Sequence, residues 1–274
     1  NALKNKKHVV TANKALIAKY GDQLAKIAEK NKVNLEFEAA VCGGIPIIRS
    51  LKEGLIANKI ERIYGIFNGT SNYILSTMDK QNKNFKDVLS NSKKLGYAET
   101  NPSSDLNGDD VAAKLKILSS LCFNSFINDK IHVEGIKNIE KIDIDNANTL
   151  GYKIKLLGFS EILDNKVYQR VHPTMIKKSS YIASIDGVLN AVIIDGKPVG
   201  KSVIQGEGAG AEATTSALVS DISSILRGNI KFPFSISNKE RKILNFKNID
   251  DRFFSAYLRF EVLDKPGVLS NITN

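Results

Sequence analysis

The sequence predicts a chain in two parts: the tail of a doubly wound parallel α/β sheet, then an α+β domain built on an antiparallel or mixed sheet. Three observations carry this. A β-branched run, a helical period and a second buried run follow one another over about 30 residues, the pattern of a parallel βαβ unit. Several strand-like runs crowd residues 131–205. A glycine-rich stretch then feeds a long apolar helix.

Taken in order, Lys7–Thr11 (KHVVT) reads as the first strand. Leu16, Ile17, Leu24, Ile27 and Ala28 then recur at helical spacing, and Val33–Val41 (VNLEFEAAV) reads as a buried strand. The crossover between these strands should be right-handed. The glycines and Pro46 of GGIPIIRSLKEGL open a helix. KIERIYGIF is a strand ending at NGTSNYILSTM, whose period starts a helix near Gly69–Thr70. Residues 85–95 form a short helix. Another starts at Asp109, with Ala113, Ile117 and Leu121 on one stripe. HVEGI, YKIKLLGFSEI, KVYQRVHPTMI, NAVIIDG and SVIQG predict an antiparallel or mixed sheet. GEGAGAEATTSALVSDISSIL is a glycine loop and its helix, and residues 229–249 read as a polar linker.

At 274 residues and 42% hydrophobic content, the chain can bury a sizeable core in one large domain or two ordinary ones. The charged fraction of 25% is that of a globular chain, not a disordered one. The net charge of +10 is spread as single lysines among asparagines. A nucleic-acid binder would gather its cations into a stripe with interleaved aromatics. Solvated lysines on helix faces are the ordinary reading, although such a field also attracts phosphate-bearing ligands. No apolar run approaches the length of a membrane span, and no signal peptide is visible. Cys42 and Cys122 form no CxxC or framework spacing, which points to a reduced, cytoplasmic compartment. The start at Asn1 and the end in FFSAYLRFEVLDKPGVLSNITN suggest a fragment cut at both ends.

Ligands of open α/β sheets lie beyond the carboxyl ends of the strands. TANK, with Lys14, and EAAVCGGIP, starting at Glu38, should therefore meet at one rim. A cation in a first helical turn opposes the helix dipole. Lys14 is thus either a functional residue or an ordinary solvated lysine. Asn68–Thr70 (NGT) offers N–H groups and a hydroxyl at a helix start, which suits an anionic group or is simply a capped turn.

GYAETNPSSDLNGDDVAAK (Gly96–Lys114) gathers Glu99, Asp105, Asp109, Asp110 and Lys114. Asp110 and Lys114 are spaced i, i+4 and share a helix face; the ordinary reading is a weak surface ion pair. Asp105 or Asn107 could cap the helix. A calcium loop fails, because Gly108 is out of register. Tyr97, Glu99 and Asp105 fall on a loop held by the following helix. Acceptors beside lysines suit a substrate bearing both ammonium and hydroxyl groups. Gly206–Ala211 formally satisfies GxGxxA, but Glu207 would repel a pyrophosphate, so close approach to an uncharged part of a cofactor fits better. His8, His132 and His172 lack ligand spacing, and no zinc or iron site is expected.

VVTANKALIA, FEAAVCGGIPIIRSL, GIFNGTSNYILS, GYAETNPSSDLNGDDVAAKL and GEGAGAEATTSALVSDI occur in the order seen in homoserine dehydrogenases. The chain resembles that family over residues 1–228, most specifically in N-P-x-x-D-L-x-G-x-D-x-x-x-K. AYLRFEVLDKPGVLSNIT resembles the first strand and turn of an ACT domain. The resemblance implies a partial Rossmann-like sheet (1–41), a substrate domain (42–204), a returning loop and helix (205–228), a linker (229–252) and a truncated ACT segment (253–274).

By that resemblance the protein interconverts L-homoserine and L-aspartate 4-semialdehyde with NAD or NADP, in threonine, methionine and isoleucine biosynthesis. Lys14 and Lys114 become the catalytic lysines. Gly69, Thr70, Tyr97, Glu99, Asp105 and Asp110 become substrate contacts. Lys14, Gly206, Gly208 and Gly210 lie by the cofactor. Glu38 and the carbonyls of Val41, Gly43 and Ile45 form a monovalent cation site, usually sodium. A homodimer through the substrate-domain sheet and an amino-acid effector at the ACT unit are also implied, with no nucleic-acid or membrane partner. Two nearby lysines should lower each other's pKa and so aid acid–base work. The carboxylates would hold the substrate ammonium and aim its hydroxyl, while the cofactor performs the redox chemistry.

The chain departs from the family pattern in several places. An amino-terminal strand with its GxGxxG loop is absent, as is the residue that selects NAD or NADP. Glu207 and Ala213 stand where prolines are common. Poor activity of this chain alone is therefore expected. The competing readings are another Rossmann dehydrogenase of an amino-acid-derived aldehyde and a noncatalytic amino-acid sensor.

Overall fold

β1 (Val9–Val10) pairs in parallel with β2 (Leu35–Glu36), Val9 opposite Leu35, across helix α1 (Lys14–Asn31). This is the expected βαβ unit. The computed structural model describes residues 1–127, 131–247, 254–263 and 265–273. α1 starts where it does because the Asn13 side chain accepts the Leu16 N–H at 2.9 Å. It ends at Lys32, which takes a left-handed φ of 53°. Ile17, Ala18, Gly21, Ala25 and Ala28 form its buried face.

The strand expected to reach Val41 stops at Glu36. Glu38–Ala40 instead turns into a 3-10 helix. The cause is side-chain bonding that replaces the ladder. The Glu38 carboxylate accepts the Ile48 and Arg49 amides at 2.8 and 2.7 Å, while the Glu38 N–H donates to Asp221 at 3.0 Å. α2 (Ile47–Arg49) follows and runs into a π-turn over Ser50–Gly54.

The second part is ordered as β3 (Lys59–Ile66), α3 (Gly69–Gln81), α4 (Phe85–Lys94), α5 (Ser103–Asn107), α6 (Asp109–Cys122), β4 (His132–Val133) and α7 (Lys141–Thr149). There follow β5 (Tyr152–Leu163), β6 (Lys166–Lys177), β7 (Leu189–Lys197), β8 (Gly200–Glu207), α8 (Ala211–Leu226), β9 (Asn245–Phe246) and α9 (Val268–Thr273). The sheet runs β4-β6-β5-β3-β7-β8, with β9 also on β6. β3, β5, β6, β7 and β8 pair antiparallel, and β4 and β9 lie parallel to β6, so the sheet is mixed, as expected. α6 lays Val111, Leu115 and Leu118 on β3 and β5. α1 of the first part packs on the same helix.

Three sequence readings are corrected, and one helix, α7, is added. Asp105 lies on the short helix α5, not on a loop. Gly206 belongs to β8, so the glycine loop begins only at Gly208. α7 had no legible period, because only Ile144 and Ala147 supply its buried apolar face; a reciprocal capping box of Glu140 and Asp143 starts it. The polar linker is packed structure: Phe234 is buried, 5.3 Å from the Phe37 ring and 6.2 Å from Phe126, with Arg241 over it at 4.6 Å. Residues 248–252 of that linker lie outside the described residues.

Residue 253, where the ACT-like segment was expected to start, also lies outside them. Residues 254–263 form no strand. Two of them are tied to α7 and its cap: the Tyr257 hydroxyl donates to Asp143 at 3.0 Å, and Arg259 pairs with Asp143 and Glu140 at 2.8 and 3.2 Å. No helix among the described residues is long and apolar enough to cross a membrane.

Candidate active site

α1 and α6 deliver the two lysines that the sequence singled out to one carboxylate. Asp110, in the first turn of α6, faces Lys114 one turn on, with Nζ 2.8 Å from Oδ2. Lys14, at the first position of α1 beyond the β1 rim, reaches the other oxygen at 3.0 Å. Lys114 also donates to the Phe67 carbonyl at 2.7 Å, at the end of the central strand. Asn68 donates to Asp105 at 2.7 Å and to Asp110 at 2.9 Å. Strand rim, α3, α5 and α6 thus converge on a single constellation.

The electrostatics follow from burial and pairing. Burial pushes the Asp110 carboxyl up, but Lys114, Lys14 and the Asn68 amide outweigh it and hold the pKa below the usual carboxylate range. Burial pulls the Lys114 ammonium down, yet Asp110 beside it reverses the effect, and the net pKa is raised. This corrects the expectation that the two lysines lower each other: the spacing pairs Asp110 with Lys114 but does not show that Lys14 meets the same carboxylate. Asp105 moves the other way. Its burial raises the pKa, the Asn68 amide opposes this, and the Asp110 charge adds to the rise. Among the described residues Asp105 has no cationic side chain in ion-pair contact.

The remaining predicted residues divide. The Thr70 hydroxyl donates to the Tyr97 carbonyl at 2.7 Å, and the Tyr97 ring rests 4.9 Å from Tyr73, so α3 pins the loop before α5. Gly69 is the first residue of α3, next to Asn68. Glu99 is exposed and makes no side-chain contact with the lysine–carboxylate group among the described residues. The glycine loop is brought to the rim by two backbone bonds, Gly43 N–H to Gly208 O at 3.0 Å and Gly44 N–H to Glu207 O at 2.8 Å.

A β-carbon on Gly208 would meet Asn190 Nδ2 at 2.0 Å, so the protein itself fills that space. Over Gly210 the space is open. The Lys14 side chain is 41% exposed.

The expected cation site fits in part. Among the described residues no hydrogen bond reaches the carbonyls of Val41 or Gly43, while that of Ile45 accepts the Ile47 N–H at 2.7 Å. No group of three or more His, Cys, Asp or Glu residues there suits a metal ion. A cation in this place would be a hard one, held by carbonyl oxygens. Glu38 stands alongside, its pKa pushed up to about 7 by burial.

Sequence reasoning missed three residues. Asn68 belongs to a segment whose sequence suggests an anion-binding helix start or a capped turn, and neither reading gives its side-chain amide the two carboxylates it holds. Cys42, buried with a left-handed φ of 50°, accepts from Asn190 at 3.4 Å. Asn190 is fully buried under the glycine loop. Cys42 sits inside the EAAVCGGIP segment without a residue-level signal of its own, and Asn190 carries neither a periodic nor a motif signal.

The parallel βαβ tail beside a mixed-sheet domain, with lysines from each meeting over one carboxylate, defines the class: a two-part dinucleotide-binding α/β fold with its site between the parts. Residues 46–223 match the family model described as homoserine dehydrogenase, and residues 1–38 match that of the homoserine dehydrogenase NAD-binding domain. The chain belongs to the homoserine dehydrogenase family.

It is 43% identical to the homoserine dehydrogenase of Neisseria gonorrhoeae over 278 residues, covering 99% of this chain and 64% of that one. The crystal structure of the Thiobacillus denitrificans homoserine dehydrogenase matches with a TM-score of 0.82 at 41% identity, over 99% of this chain and 64% of the other. A hyperthermophilic archaeal homoserine dehydrogenase in complex with NADPH matches with a TM-score of 0.72 at 28% identity, over 84% of this chain and 67% of that one. The chain thus spans 64% of the length of the Neisseria relative.

Proposed function

We propose that the full protein interconverts L-homoserine and L-aspartate 4-semialdehyde with NAD or NADP, as a step of threonine, methionine and isoleucine biosynthesis. One observation carries the reading: Lys14 and Lys114 meet on Asp110 at the strand rim. A nicotinamide bound over Gly210 and Lys14 would supply or accept the hydride. The protein does the rest. Lys114, raised and therefore cationic, donates two N–H groups to Phe67 O and Asp110, which leaves a third for the substrate oxygen. In aldehyde reduction it gives that oxygen a proton; in the reverse direction it takes the hydroxyl proton back. Asp105, with no cationic side chain in contact among the described residues, receives the substrate ammonium, and Glu99 is a further acceptor for it in this reading.

The same reading includes a homodimer in the cytoplasm, sodium at Glu38, Val41, Gly43 and Ile45, and a regulatory ACT unit beginning near residue 253. For the dimer, the support is the sheet's outer face. There Tyr64, Phe159 and Arg170, all half-buried, lie opposite one another across β3, β5 and β6, with Phe254 5.8 Å from Arg170, an aromatic–arginine group of the kind that interfaces favour. The NADPH held by the archaeal relative supports the cofactor class.

The test is a substrate panel on the full-length protein. Homoserine should be the preferred alcohol with NAD or NADP. Preference for a different amino alcohol would favour another aldehyde dehydrogenation, and binding without turnover would favour a sensor.

A further inference from the structure

We infer that Asn68 is the positioning residue of this site: its one amide holds both carboxylates, Asp105 and Asp110, in register with Lys114. The inference rests on the dehydrogenase reading above. Asn68 is 5% exposed, and its amide has no unused hydrogen-bonding group. One N–H of Nδ2 goes to Asp105 Oδ1 at 2.7 Å and the other to Asp110 Oδ2 at 2.9 Å. Oδ1 accepts the Ser71 N–H at 2.8 Å, capping α3. The orientation is forced. Turned over, the oxygen would face two carboxylates and the NH2 would oppose a backbone donor.

Two carboxylates sharing a site repel, and one tends to take up a proton. Asp110 has two lysines to compensate; Asp105 has none in contact among the described residues. A single nitrogen that donates to both fixes their separation and favours the charged form of each. The neighbouring residues extend the same anchor. Phe67 gives its carbonyl to Lys114, Gly69 opens α3, and Thr70 ties down Tyr97. Three of these four consecutive residues, Phe67, Asn68 and Thr70, therefore bond directly to Lys114, to Asp105 and Asp110, and to Tyr97. The charged and titratable groups facing the two carboxylates are Lys14 from α1, Lys114 from α6 and Cys42 from the turn after β2, with each carboxylate facing the other.

Asn68→Ser isolates this role, because serine caps a helix about as well as asparagine but cannot donate to two carboxylates. In the full-length enzyme kcat/KM for homoserine should fall by about 100-fold, the scale of a reacting group slightly misplaced. The acid limb of its pH profile should move to higher pH. Asn68→Asp keeps the cap, adds a third carboxylate and should move that limb further. A purely structural cap would leave the limb where it is.

A parent-like limb and parent-like kcat/KM in Asn68→Ser would overturn the inference while leaving the dehydrogenase reading intact. A parent enzyme that ignores homoserine would overturn that reading instead. The carboxyl NMR titrations of Asp105 and Asp110 decide the Asn68 role without turnover: both midpoints should rise in Asn68→Ser, and unchanged midpoints would end it.

Discussion

Lys14 and Lys114 grip opposite oxygens of one carboxylate, Asp110, at 3.0 and 2.8 Å. The i, i+4 pair of Asp110 and Lys114 would matter little on a surface. Here both partners are buried, and neither is at its ordinary pKa.

The sign of the Lys114 shift sets the pH dependence. A raised lysine pKa means that the ammonium persists beyond its usual range and is lost only as pH rises through the raised value. Reduction of the aldehyde, which uses the ammonium, should hold up to alkaline pH and then fall. Oxidation of homoserine, which needs the free amine, should rise over the same range. Asp110→Asn removes the main cause of the raised pKa, and both limbs should move to lower pH. Initial rates in both directions across pH check this, and limbs that move upward would contradict the assigned proton donor.

Lys114→Ala should lower kcat by roughly 10²- to 10⁴-fold, the range of a lost general acid–base, with little change in substrate affinity. Stopped-flow rates combined with equilibrium binding separate the two effects. A sensor would have no rate to lose, so equal binding by parent and variant with zero turnover in both would decide for that reading.

How much of this was legible in the sequence depends on what sets each feature. α1, α3 and α6 were legible because apolar period and local caps at Asn13 and Asn68 define them within one segment. The meeting of Lys14 with Asp110 was legible only through the strand-rim rule and the family resemblance, since 96 positions separate them in the chain. The end of β2 was not legible, because it depends on bonds from Glu38 to Ile48, Arg49 and Asp221, one of which comes from a helix far along the chain. The direction of the Lys114 shift was not legible for a similar reason. Two lysines imply repulsion until the carboxylate between them is placed.

Gly208→Ala should disturb the loop beside the proposed nicotinamide site. The new methyl group would stand 2.0 Å from the Asn190 amide, and Asn190 is fully buried with no room to retreat. We expect a lower Tm and a higher KM for the cofactor, with kcat less affected. Asn190→Ala in the same chain makes room for the methyl, so the double variant should recover part of both losses, a non-additive pair. Strictly additive effects would show that the two side positions do not meet.

Phe234→Ala tests whether residues 229–247 are a tether or part of the core. The Phe234 ring stacks near Phe37 of the first part and Phe126 of the second, and a β-carbon on Gly21 of α1 would lie 2.8 Å from it. It is therefore a wedge between the parts that carry Lys14 and Lys114. Removing a buried aromatic ring from such a place costs about 3–5 kcal/mol, and the denaturation midpoint should fall accordingly. A tether would show no such loss. Because α1 packs directly on α6, loosening the wedge should also let Lys14 drift from Asp110. The surviving folded enzyme is then expected to show a reduced kcat at temperatures well below its new midpoint. Full stability and parent-like kcat in Phe234→Ala would mean that the two parts hold together without it.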